Sequence, residues 1–166
     1  QPRLGTGYSV FGQIAMLNAL GILSVSDADT QETVTILEQG NKRFGIDVLM
    51  KDNSAKKLAQ NWYEKIPVII SAEFLTHVGR VIRNQIHESA KSFAAYHEIP
   101  ELNHYLMEGL TNPATNKDTL RFLFIQSNNY SDRITERFTV TKEVVKKQGI
   151  AIDEFVPTSK SRVAQA

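Results

Sequence analysis

Ile66-Pro67-Val68-Ile69-Ile70 is a short, nearly continuous apolar run rich in β-branched residues, without the alternation of a half-wet strand. Such a run reads as a strand covered on both faces, the kind found in parallel sheets. Two runs of similar character lie downstream, Leu120-Arg121-Phe122-Leu123-Phe124-Ile125 and Ile150-Ala151-Ile152-Asp153-Glu154-Phe155-Val156. Between them the composition turns helical. Residues 73–97 hold no proline and one glycine, Pro100 marks a turn, and Tyr105 to Leu110 reads as a short helix. Ile134, Phe138 and Val145 lie on one side of a further helix that Gly149 ends. Strand, helix, strand, helix, strand predicts right-handed parallel crossovers and an α/β sandwich.

Upstream the pattern is helical throughout. Val10, Ile14, Leu17, Leu20 and Leu23 recur at helical spacing over residues 8–23. Ser26 opens a second helix, with Asp27 and Asp29 in the first turn, where the helix dipole favours anions. Val34, Leu37, Phe44 and Val48 give it an apolar stripe, and Gly40 or Gly45 is expected to end it. A short polar helix follows from Ser54 through Trp62. These helices are expected to cover one face of the sheet. The 166 residues suit one domain, with a helical lead-in over about 1–65 and a sheet-containing part over about 66–166.

Composition narrows the function. The chain is 42% hydrophobic and 22% charged, an ordinary globular balance. Lys+Arg number 19 against 18 Asp+Glu, a net charge of +1, so no global field attracts nucleic acid or an anionic membrane, and neither is expected as a partner. The absence of cysteine excludes disulfides, thiolate metal sites and cysteine nucleophiles, and fits a cytoplasmic location. No apolar run approaches the ~20 residues that span a bilayer. Gln1-Pro2-Arg3 shows neither an initiator Met nor a signal-peptide pattern, and Ser159 to Ala166 reads as a helix just beginning. A piece of a longer polypeptide is therefore expected.

The chemistry concentrates in Arg83-Asn84-Gln85-Ile86-His87-Glu88-Ser89-Ala90-Lys91 and Ile99-Pro100-Glu101-Leu102-Asn103-His104. Glu88 precedes His104 by sixteen positions, with Pro100 between them to end the helix. A carboxylate and an imidazole brought together from two sides of a turn are the usual equipment for moving protons at neutral pH. Asn84 and Glu88, four apart, share a helical face. The competing reading of Glu88 is a solvated face with a Glu88–Lys91 pair. His77, His87 and His97 read as structural or exposed. Glu101, His104 and Glu108 have a spacing that a metal could use, but no His-Glu-x-x-His pattern accompanies them, and no metal is expected. Gly5-Thr6-Gly7 with Gly12 follows no strand, so it is no dinucleotide fingerprint, and no cofactor is expected.

Those two segments resemble the bifunctional phosphoglucose/phosphomannose isomerase family, whose members consist of two sugar isomerase (SIS) domains. The family pattern, approximately Asn-Gln-x-x-Glu-x-x-Lys and then Pro-Glu-Leu-Asn-His, is kept here in both parts and in their interval. Gln1-Pro2-Arg3-Leu4-Gly5 also looks like the start of the second half of these proteins. The resemblance implies a SIS-type αβα sandwich and makes residues 1–166 the second SIS domain of a longer chain. It implies interconversion of glucose 6-phosphate, and of mannose 6-phosphate if the pocket at C2 admits it, with fructose 6-phosphate through a cis-enediol. Glu88 is then the base between C1 and C2, and His104 assists ring opening in the active site of a partner subunit. Arg3 stabilises the enediolate. A cytoplasmic homodimer with shared active sites, serving glycolysis and gluconeogenesis, is implied as well. The alternative is a non-catalytic SIS module that binds a phosphosugar and regulates a partner. His87 stands where the family would have a small or amide residue.

Overall fold

The computed structural model describes residues 5–166. In chain order the elements are α1 (Thr6–Ala19), α2 (Asp27–Phe44), α3 (Ser54–Asn61), β1 (Ile66–Ala72), α4 (Thr76–Glu88) and β2 (Ala95–Ile99). Then follow α5 (Leu106–Gly109), α6 (Asn116–Thr119), β3 (Leu120–Ile125), α7 (Asp132–Lys147), β4 (Ala151–Phe155) and α8 (Arg162–Gln165). The strands form one sheet in the order β2-β1-β3-β4, every neighbouring pair parallel. This is the α/β architecture expected from the apolar runs.

Side-chain alternation sorts the two faces of the sheet. Ile70 is in register with Phe124, and Phe124 meets Phe138 of α7 edge-on with ring centroids 6.1 Å apart. Ser71, on the opposite face, meets α4 at Gly79, where an added Cβ would lie 2.6 Å from Ser71 Oγ. The sheet is thus sandwiched between α4 and α7. Ile69, Ile70, Phe122, Phe124 and Phe138 between them have no exposed surface, which places the core across β1 and β3. Burying each such side chain stabilises the fold by about 1.5–3 kcal/mol.

At its lower margin the α4 face is closed by charge. Asp153 of β4 accepts from Arg121 Nε at 2.6 Å and Nη2 at 3.0 Å, and from the Trp62 indole at 3.0 Å. This pins the end of α3 to the sheet. Of the lead-in helices, α3 alone covers sheet in this way. No residue of α1 is buried, and Thr33 is the one buried residue of α2. Apolar residues on helical spacing did predict these helices, but their stripes line an open groove shared with α4 and residues 154–166. Ser26 does open α2, and it does so through a capping box: Ser26 and Asp29 exchange hydrogen bonds, and Gly45 caps the far end.

One predicted element is corrected. The helical composition of residues 73–97 extends past the true end of α4 at Glu88, and Ala95–Ile99 is a strand. β2 is the sheet edge next to β1, and its first four residues are only partly buried, so Ala95-Tyr96-His97-Glu98 carries no apolar run to announce it. The helix ends at Ser89, well before Pro100, and Lys91 follows in the left-handed region at φ 56°.

Candidate active site

α4 leaves the carboxyl end of β1 and runs back along the sheet, so its last residue, Glu88, lies near the amino ends of the strands. The turn to β2 is tightly made. Ser89 N donates to Gln85 O at 2.8 Å, and Lys91 Nζ donates to the Glu88 carbonyl at 2.6 Å, placing a cation at the negative end of the helix. Ala94 N donates to His87 Nε2 at 3.0 Å, and the His87 ring stacks on Phe93 at 5.6 Å. His87 therefore ties the last turn of α4, which carries Glu88, to the residue that precedes β2. The Glu88 side chain is exposed.

β2 then runs the length of the sheet, pairing Ala95 with Val68 and Ile99 with Ala72. Beyond it, Glu101–His104 form a single 3-10 turn. Leu102 is fully buried and anchors that turn, while His104 is exposed. Asn103 Nδ2 donates to Thr141 Oγ1 at 2.9 Å, and Tyr105 Oη lies 2.9 Å from His97 Nδ1. Burial lowers the pKa of His97 from its ordinary value. Burial, then the Glu101 and Glu98 carboxylates, raise that of Tyr105.

Glu88 and His104 are therefore not brought together within one chain. They flank opposite ends of β2, a strand of five residues, or roughly 16 Å of extended backbone. Arg3 lies outside the described residues. Glu101, His104 and Glu108 do not share one helical face, because Tyr105, with φ −138°, separates the 3-10 turn from α5. Among the described residues no group of three or more His, Asp or Glu side chains could hold a metal ion. No helix of the described residues is long and apolar enough to cross a membrane.

In an open α/β sheet, ligands usually bind where neighbouring crossovers diverge, here between the carboxyl ends of β1 and β3. The chain's own side chains fill that position. Tyr130 Oη accepts from Ala72 N and donates to Ile125 O, both at 3.2 Å, and burial pushes its pKa up to about 12. Glu73 accepts from Ser131 N and Oγ, and Ser127 Oγ bonds to Gln165 of α8. A larger apolar groove of about 970 Å³ opens between α1, α2, α4 and residues 154–166, with Phe11, Ile14, Leu37, Phe44 and Val81 in its walls. A smaller one, about 390 Å³, adjoins the His104 turn and is lined by Asn103, Met107, Arg137 and Thr141 among others. Sequence reasoning passed over Thr141 and Arg137, because nothing in the spacing of α7 ties it to the turn after β2.

A four-stranded parallel sheet between helices defines an open α/β sandwich domain. Residues 51–166 match the bacterial phospho-glucose isomerase C-terminal SIS domain, and the chain belongs to that family. It is 26% identical over 166 residues to the bifunctional phosphoglucose/phosphomannose isomerase of Caldicellulosiruptor bescii, covering 99% of this chain and 49% of that protein. The protein of the same description from Aquifex aeolicus is 26% identical over 151 residues, covering 90% and 42% respectively. A glucose-6-phosphate isomerase-like protein from Thermus thermophilus has the same fold, with a TM-score of 0.71 at 20% identity over 90% of this chain and 49% of that one. The chain spans about half the length of these relatives or less.

Proposed function

We propose that this chain is the second SIS domain of an aldose–ketose isomerase that interconverts glucose 6-phosphate, and mannose 6-phosphate where the pocket at C2 admits it, with fructose 6-phosphate. The activity belongs to the longer polypeptide that carries the chain, assembled as a homodimer, and places it in cytoplasmic carbohydrate metabolism. The observation that carries the reading is the pair of motifs, Asn84 to Lys91 and Pro100 to His104, held at the two ends of β2 inside the segment that matches the family.

The chemistry follows from the residue types. His104 of one subunit, acting in its neighbour's site, moves a proton between the ring oxygen and the C1 hydroxyl to open the hemiacetal. The Glu88 carboxylate removes the C2 proton of the open-chain aldose, leaving an enediolate whose oxygen is stabilised by the Arg3 guanidinium; the hydroxyl proton passes from O2 to O1, and Glu88 returns its proton to C1 to give the ketose. A single carboxylate within reach of both carbons is enough, and no electrons leave the substrate. The separation of Glu88 from His104 within one chain supports a site shared between subunits. The Tyr130-filled crevice argues against a sensor that would bind a phosphosugar there.

The test is conversion of fructose 6-phosphate to glucose 6-phosphate by that polypeptide, with and without a chelator. Glu88→Gln should cost about 10²–10⁴-fold in kcat, and the chelator should cost nothing. An unchanged rate in Glu88→Gln removes the base assignment, and inhibition by EDTA removes the metal-free mechanism.

A further inference from the structure

We infer that Asn103 is a positioning residue for His104, with Thr141 of α7 as its anchor; the inference rests on the role given to His104 above. The Glu101–His104 turn is short, and its own backbone bonds, Asn103 N to Pro100 O at 3.0 Å and Tyr105 N to Leu102 O at 3.4 Å, do not fix an exposed imidazole. What fixes the turn is its hold on the rest of the fold: its own Leu102 is fully buried, and the Asn103 amide reaches across to α7.

Both ends of that amide are engaged. Nδ2 donates to Thr141 Oγ1 at 2.9 Å, and Arg137 Nη1 approaches Oδ1 at 3.5 Å. A primary amide offers a donor to the hydroxyl and an acceptor to the guanidinium, so this pairing of partners selects one orientation. Thr141 is 1% exposed and sits between Phe138 and Val145, which α7 drives into the core. The anchor therefore has the rigidity of the core itself, and Asn103 carries it to the residue next to His104. On the other side of His104, Tyr105 is held by His97. The groove of about 390 Å³ beside Asn103 leaves the turn room to move once the tie is cut. Acid–base groups tolerate little displacement, since a 1 Å misplacement costs on the order of 10²-fold in rate.

The experiment is a double-mutant cycle on the polypeptide that carries this chain, reading kcat and KM for fructose 6-phosphate. Thr141→Val keeps the shape and removes the acceptor; it should lower kcat by about 10–100-fold with KM little changed, and Thr141→Ser should restore most of the rate. In a His104→Ala background Thr141→Val should have no further effect, because there is no imidazole left to misplace. The same fractional loss in both backgrounds overturns the inference, as does a wild-type rate in Thr141→Val beside an impaired His104→Ala. A wild-type rate in His104→Ala removes the role of His104 and this inference together. Asn103→Ala, at a half-buried position, repeats the cycle if Thr141→Val does not fold.

Discussion

Glu88 and His104 flank the two ends of the same edge strand, Glu88 on the last turn of α4 and His104 on the 3-10 turn that follows β2. β2 is paired along its length to β1, so this separation is set by the sheet register and no side-chain rotation closes it. The proposed site, which needs both groups, therefore draws them from different copies of the chain.

That requirement gives a complementation test. In the polypeptide that carries this chain, Glu88→Gln and His104→Ala, prepared separately, should each abolish most of the proposed isomerase rate. In a dimer with one subunit of each kind, one of the two sites contains an intact Glu88 and an intact His104. Random reassortment of equal amounts should then return about a quarter of the wild-type rate. Mixing, partial denaturation and refolding, followed by the fructose 6-phosphate assay, measures it. A mixture as inactive as its components rules out the shared site.

How far the sequence carried this reading depended on burial. Ile66–Ile70 and Leu120–Ile125 announced their strands because both faces of β1 and β3 are covered, which demands unbroken apolar runs. Ala95–Ile99 gave no such signal, because an edge strand can hold His97 and Glu98 half exposed. The candidate residues themselves were legible as a motif. Their placement was not: the distance from Glu88 to His104 depends on a strand that the pattern concealed. The ties from Asn103 to Thr141 and from Trp62 to Asp153 span 38 and 91 positions, beyond any local periodicity.

The seating of α4 rests on Gly79. An added Cβ would lie 2.5 Å from Tyr96 Cε2 and 2.6 Å from Ser71 Oγ, and the Ser71 and Tyr96 hydroxyls are themselves within 3.2 Å of each other. Gly79→Ala should therefore lift α4 off the sheet at a cost of about 1–3 kcal/mol. In urea the unfolding midpoint should fall with little change in slope. Gly109→Ala, where nothing lies within 4 Å, is the control and should leave the midpoint nearly in place. Equal effects at the two positions would discard the account of α4 packing.

Asp153 supports both a strand and the helix before it. Burial alone would raise its pKa, but hydrogen bonds from Arg121 and Trp62, with the Arg121 charge, outweigh burial and hold the carboxyl below its ordinary value. Asp153→Ala leaves the guanidinium of Arg121, whose side chain is 22% exposed, and an indole N–H without their acceptor. The expected loss is about 3 kcal/mol by chemical denaturation. Trp62 is the chain's one tryptophan, so its emission should shift to the red as α3 loosens. For a carboxyl held low, the stabilisation is present above the ordinary value of 3.8 and disappears as the pH falls through the lowered one. The stability gap between wild type and variant should therefore close only in that acid range; a gap independent of pH would mean that packing, not the ion pair, holds α3.

His97 gives the opposite sign. Burial lowers its pKa from the ordinary 6.5, so the folded protein favours the neutral ring while the unfolded chain takes up a proton at the usual pH. In the window between the lowered value and 6.5 the unfolded state binds more protons, and stability rises with pH; above 6.5 the full contribution is present. The Tyr105 hydroxyl at 2.9 Å can donate to the neutral ring, which adds to the preference. Thermal melts from about pH 5 to about pH 8 should show the midpoint climbing through that window. In His97→Gln, which has no proton to gain there, the climb should flatten. An unchanged slope in the variant would mean that His97 is not the group that titrates.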